Sequence, residues 1–185
     1  SRGMGALEYK PETTRIEDRN RIKLDELSRL AKKIYEERDK VIISPSESIT
    51  LKTLISIGTS PGGQKPKAVI AINLKTGEIL SGQTAKGKEY LHLMIKFGNK
   101  ERASAEIEMT YYQMATAAGI QMEHSFVKQL DDTKHFFTER YDRKNGTKIH
   151  TQTLAAMNPE ATSYEELVAT SRKLGIGEDA TRMIY

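Results

Sequence analysis

The 185-residue chain has no cysteine. That excludes disulfides and thiolate–zinc sites, and it fits a reducing compartment. Long apolar runs are missing too: the longest, residues 68–73 and 91–95, fall far short of the roughly 20 residues a membrane-crossing helix needs. No signal-peptide pattern opens the chain. Neither charge sign is scarce, with 29 Lys and Arg interspersed among 25 Asp and Glu for a net charge of +4. No basic block stands out, so the charge reads as solvation rather than as a nucleic-acid footprint. Repeats and low-complexity tracts are absent. There is no G-x-G-x-x-G, and although Gly58 and Gly63 are spaced as in a P-loop, Gln64 stands where that motif needs lysine. His92, His124, His135 and His150 share no ligand spacing, which argues against a metal site.

Hydrophobic residues make up 37% of the chain and charged residues 29%, with mean hydropathy −0.57. Such a composition suits one globular domain, or two small lobes on a shared core. The most informative segment is the loop at residues 58–67, which holds Gly58, Ser60, Gly62, Gly63, Lys65 and Lys67. Glycines and small hydroxyls let backbone N–H groups approach a phosphate, and the lysines add charge. A solvent-exposed loop between two elements explains the same residues equally well.

Periodicity predicts a helix over residues 14–38, from the spacing of Leu24, Leu27, Leu30, Ala31 and Ile34. A second, at 45–57, opens on the capping box Ser44-Pro45-Ser46-Glu47. Strands follow at 68–74, 78–81 and 89–97. In the third, Leu91, Leu93 and Ile95 share one face while Tyr90, His92, Met94 and Lys96 share the other. A helix at 101–118, closed by Gly119, carries an apolar stripe of Ile107, Tyr111, Met114 and Ala118, widened by Met109 and Tyr112, with Glu108 at its edge. A hairpin at 125–130 and 134–142 and a strand at 147–154 come next. The last full helix runs from the capping box Ser163–Glu166 to Gly175. Tight turns between most strands make this an α+β fold with an antiparallel sheet and flanking helices.

Strand lysine, then helix glutamate, then a hairpin ending in an acid-flanked apolar strand is the order of a protein-kinase-like small lobe. In that arrangement a lysine on the sheet holds nucleotide phosphates and a helix carboxylate holds the lysine. Lys96 and Glu108 stand at these places, although an edge lysine reaching water and a solvated surface glutamate are the plainer alternative. Four segments then carry a specific resemblance: 58–68 (GTSPGGQKPKA), 104–119 (SAEIEMTYYQMATAAG), 135–143 (HFFTERYDR) and 149–157 (IHTQTLAAM). Together they resemble the HipA family of serine/threonine kinases, the toxins of bacterial toxin–antitoxin modules.

The resemblance implies that Gly62 and Gly63 belong to the phosphate-covering loop and that Ser60 is its autophosphorylated serine. It makes Lys96 the nucleotide-phosphate lysine and Glu108 its partner. Glu139 and Tyr141 become the connector positions whose backbone meets adenine, and Gln152 a residue lining the pocket. The implied cofactors are ATP and Mg²⁺. The implied partners are a helix-turn-helix antitoxin of the HipB type, through which alone DNA is reached, and a cytoplasmic protein substrate such as an aminoacyl-tRNA synthetase.

On the same basis residues 1–12 end an N-terminal subdomain and 13–57 lead to the loop. Residues 58–157 form the ATP-binding lobe, and 158–185 begin a helical C-lobe. The sequence departs from the family in having no D-x-x-x-x-N, the catalytic-loop pattern, and hence no catalytic residue or metal ligand of that kind within 1–185. With no initiator methionine and a final stretch, 178–185, that reads as an unfinished helix, the chain is expected to be the N-terminal part of a larger kinase, truncated before the C-lobe and inactive alone. A non-catalytic HipA-like module that holds an antitoxin or another protein is the alternative; a nucleic-acid binder is a third reading.

Overall fold

The structure, a computed structural model, describes residues 5–6, 21–36, 66–82 and 85–177, the side chains of 33–36 apart. The helix expected at 45–57 lies outside them. So do Ser60, Gly62 and Gly63 of the loop.

Helix α1 spans Leu24–Glu36 and buries Leu27 and Ala31. It does not include residues 21–23, which the sequence pattern assigned to it. The Ile22 N–H donates to the Ile79 carbonyl at 2.9 Å, and Arg21 pairs with Glu78 at 2.7 Å. A backbone donor engaged across to a strand holds the chain extended there, and the helix begins after it.

Five strands form one antiparallel sheet: β1 (Lys67–Asn73), β2 (Ile79–Ser81), β3 (Tyr90–Lys96), β4 (Ser125–Leu130) and β5 (Thr133–Glu139). Their order is β2-β1-β3-β5-β4. The turn from β1 to β2 is set by Asn73, whose Oδ1 accepts the N–H groups of Lys75 and Thr76 at 2.9 and 3.1 Å. Beyond the sheet, β6 (Arg143–Lys144) and β7 (Thr147–Lys148) make a small hairpin. Its two-residue turn places Asn145 and Gly146 at φ 53° and 75°, the left-handed pair that a type I′ turn requires.

Because side chains alternate across a strand, the sheet has two distinct faces. Ile70, Leu93, Ile95 and Phe137 join Leu27, Ala31 and Ile22 of the α1 side in the main core. Phe137 and Phe126 stack there at 5.1 Å. Met94, Lys96, Phe136 and Thr138 face the other way, toward α2 (Ser104–Ala117).

The expected apolar stripe of α2 turns its centre to the outside, and of the residues that widen it Tyr112 reaches the sheet side. Ile107, Tyr111 and Met114 are 50%, 66% and 61% exposed. Ala105 is buried, and Glu108 and Tyr112 line the sheet-facing side. Apolar residues lie on two faces of this helix, so periodicity alone cannot choose between them. The small Ala105 permits close approach, and the Glu108 bond to the sheet then fixes the rotation.

The strand expected over 147–154 ends early. The Ile149 N–H donates to the Asp142 carbonyl at 3.0 Å. Thr153 then caps a one-turn helix, α3 (Leu154–Met157), accepting from the Ala156 N–H. Helix α4 (Tyr164–Lys173) starts on the full capping box of Ser163 and Glu166, as its sequence requires. The described residues thus form a mixed α/β domain with an antiparallel sheet and four helices. No helix among them is long and apolar enough to cross a membrane.

Candidate functional site

Lys96 ends β3, the middle strand of the sheet, opposite Phe136 of β5 and Lys67 of β1. It is therefore not an edge lysine. Flanked on both sides, its side chain rises over the α2 face, with Nζ 5.7 Å from the centre of the Phe136 ring. Glu108 comes from the second turn of α2 and meets it: Nζ donates to Oε2 at 2.8 Å. Both side chains stay about one-third exposed, at 32% and 29%, so the pair remains open to a ligand.

The pair lies in a cleft of 850 Å³ between α2 and the sheet, within the range of small-molecule sites. Met94 and Phe136 line it from the sheet, Tyr111 and Tyr112 from the helix, and Met122 from the segment before β4. The far end is formed by residues 138–142. There the Glu139 N–H is taken by the His124 carbonyl at 3.0 Å, but β4 does not extend past that point. Among the described residues the Glu139 carbonyl meets only the Thr138 hydroxyl, at a marginal 3.5 Å. The Tyr141 N–H has no partner among the described residues. Both residues line the cleft.

Residues 59–184 match the family described as the HipA-like C-terminal domain. That is more than half of the chain. The chain belongs to the HipA-like C-terminal domain family.

No curated protein matches it. A solved structure of HipA from Shewanella oneidensis MR-1, in complex with HipB and its operator DNA, aligns at TM-score 0.49 and 14% identity. That alignment covers 96% of this chain and 45% of the other, so this chain spans less than half the length of that HipA.

In this HipA-like domain the sequence-predicted residues Lys96, Glu108, Glu139 and Tyr141 share the one cleft. Gln152 does not join them; it is exposed, between β7 and α3, and does not line the cleft. The early end of β7 sends that segment elsewhere. Among the described residues no group of three or more His, Asp or Glu side chains could hold a metal ion.

Residue-by-residue reading missed what lies beneath the connector. Asp142 is wholly buried, yet accepts from Arg140 Nε and Nη2 at 2.8 and 2.6 Å, and from Arg143 Nη1 at 3.0 Å. Burial pushes its carboxyl up, but the Arg140 and Gly5 hydrogen bonds and the two guanidinium charges outweigh this and hold it below the ordinary range. Two arginines within two residues of one aspartate, directly after an apolar strand, are the signal that could have revealed it.

His135, also buried, joins three elements. Its Nδ1 accepts the Gly98 N–H at 2.9 Å, so the ring proton sits on Nε2 and is donated to Ser28 Oγ, 2.8 Å away. A histidine that donates to a serine does not activate it, so the pair is a staple between α1 and β5 and no nucleophilic dyad.

Proposed function

We propose that this chain is the ATP-binding, kinase-like small-lobe portion of a HipA-like serine/threonine protein kinase toxin. The Lys96–Glu108 pair carries this reading. A lysine on the central strand, held at 2.8 Å by a helix carboxylate and still one-third exposed, is poised to hold a phosphate without reorganisation. The open edge formed by the Glu139 carbonyl and the Tyr141 N–H supports it from the other end of the cleft, where an adenine ring would lie. Ser60, Gly62 and Gly63 would cover the phosphates, with Ser60 the autophosphorylation site.

The Mg²⁺ ligands and the catalytic aspartate and asparagine belong, in this reading, to the rest of the full-length protein. The intact kinase would phosphorylate a cytoplasmic protein of the translation apparatus and pair with a HipB-type antitoxin. Magnesium, when bound, would neutralise charge on the transferred phosphoryl group. The part of this chain is to orient the nucleotide between the ammonium and the connector.

A second reading, a HipA-like module that only holds a protein partner, draws on the exposed apolar face of Ile107, Tyr111 and Met114. Titration of full-length protein with Mg-ATP separates the two. Saturable binding that Lys96→Ala abolishes, with the fold intact, is expected for the kinase. A flat isotherm with antitoxin binding retained would leave the module.

A further inference from the structure

Asp142 is anchored both by its neighbours and by a distant part of the chain. Its Oδ2 accepts the Gly5 N–H at 2.8 Å across 137 residues of sequence, while Arg143 Nη1 donates at 3.0 Å to the Gly5 carbonyl and at 2.8 Å to the carbonyl of Asp142 itself. Both backbone polar groups of Gly5 are thus bound into the cluster under the connector. The fit is close. Gly5 has φ +71°, and a β-carbon there would approach the Thr151 nitrogen to 2.9 Å, so no side chain is accommodated without displacing the backbone at Thr151.

The connector is shaped by the same groups. Arg140 grips Asp142 with two donors, the Arg143 N–H closes a turn onto the Arg140 carbonyl at 3.2 Å, and the Arg140 N–H pairs with the His92 carbonyl at 2.9 Å. Tyr141, at the top of this turn, is the one residue of 140–143 that is exposed, at 52%. Tyr141 sits between the two residues, Arg140 and Asp142, whose side chains are bonded to each other, and Gly5 is a further donor to that same buried carboxylate. Withdrawing Gly5 takes one donor from Asp142 and one of its three acceptors from Arg143 Nη1, so the turn has reason to relax.

We propose that Gly5 and Asp142 are positioning residues: seating of Gly5 against Asp142 sets the Glu139–Tyr141 edge, and so couples Gly5 to occupancy of the cleft. The coupling itself is independent of the ligand, whereas its effect on ATP rests on the nucleotide reading above. Coupling of this kind is reciprocal, so a ligand in the cleft steadies Gly5 as Gly5 steadies the connector.

The test uses the full-length protein with Asp142→Asn, which keeps the shape, and Gly5→Val, which the backbone rejects. Amide exchange reports on the connector through Arg143 and Ile149, whose N–H groups are bonded to the Arg140 and Asp142 carbonyls. The expected result in either variant is exchange about tenfold faster at these two amides than in wild type, with protection of the β3 amides unchanged. For phosphotransfer, KM for ATP is expected to rise about tenfold with kcat nearly constant, the mark of lost binding rather than lost folding. If Gly5→Val does not fold, Asp142→Asn decides, together with the reverse experiment: saturating Mg-ATP should slow exchange at Gly5 and Ala6 in the wild type. Arg143 and Ile149 exchange unchanged in a folded variant would overturn the coupling. A wild-type protein that binds no nucleotide would overturn the nucleotide reading alone, leaving the exchange data to judge the coupling.

Discussion

Replacing Lys96 with methionine separates a site residue from a structural one, because the two roles carry different energies. Both partners of the ion pair are about one-third exposed, so water screens them and the pair is worth roughly 0.2–1 kcal/mol to stability. The position of Nζ over Phe136, 5.7 Å from the ring centre, adds about 0.5–1 kcal/mol. Methionine keeps the apolar stem, so the total loss is about 1–2 kcal/mol; at about 2–4 °C per kcal/mol for a chain of this size, the melting temperature falls by roughly 2–8 °C. A lysine hydrogen-bonded to a phosphate contributes about 1.5–3 kcal/mol, so ATP affinity of the full-length protein should fall about 10- to 150-fold. Chemical denaturation measures the first quantity and calorimetric titration the second. Glu108→Gln and the double variant complete a cycle whose coupling in stability should be no more than about 1 kcal/mol. A loss of about 4 kcal/mol or more with unaltered ATP affinity would show that the pair only holds α2 on the sheet, and the phosphate role would be withdrawn.

Stability should also decline on the acid side of about pH 6.5, the ordinary imidazole value. Burial holds both His135 and His92 below that value, with Arg140 adding to the effect at His92. As pH falls through this range the unfolded chain takes up protons that the folded chain refuses, so unfolding free energy drops with pH and is flat above it; urea titrations from pH 5 to 8 with no such slope would contradict the neutral staple. Gly98→Ala should be severely destabilising, because a methyl there would fall on the Lys134 carbonyl oxygen and within 3.3 Å of the Ala105 Cβ; an unchanged denaturation midpoint would show that the β3–α2 junction is looser than described. Tyr111→Lys should alter stability by no more than about 0.5 kcal/mol whereas Ala105→Leu costs about 1–3 kcal/mol through overpacking, and the reverse ranking would mean that α2 is rotated. Ser163→Ala should cost about 1 kcal/mol by removing the cap of α4, read as faster exchange in its first turn.

Local chemistry was legible wherever one segment answers one question. The capping box at Ser163, the left-handed pair at Asn145 and Gly146, the β1–β2 turn after Asn73 and the alternation of β3 were all written within a few neighbouring residues. The order of a strand lysine and a helix glutamate was legible in the same way. Assignments failed where a distant group competed: the Ile79 carbonyl took the N–H of Ile22 and delayed α1, and the Asp142 carbonyl took that of Ile149 and ended β7. Helix α2 failed for a different reason, since apolar residues cover two of its faces and only packing could choose one.

By itself, then, the amino-acid order determined most of the elements among the described residues, several of their caps and turns, and the order of a strand lysine and a helix carboxylate. Those properties depend on interactions within a few residues, where the chain has little freedom to do otherwise. The tertiary structure alone decided that Lys96 sits on the central strand, that α2 turns Glu108 rather than Ile107 to the sheet, and that Gly5 reaches Asp142. Each of these depends on a partner far away in sequence, and a hydrogen bond or close contact becomes specific only when the fold has brought both of its ends together.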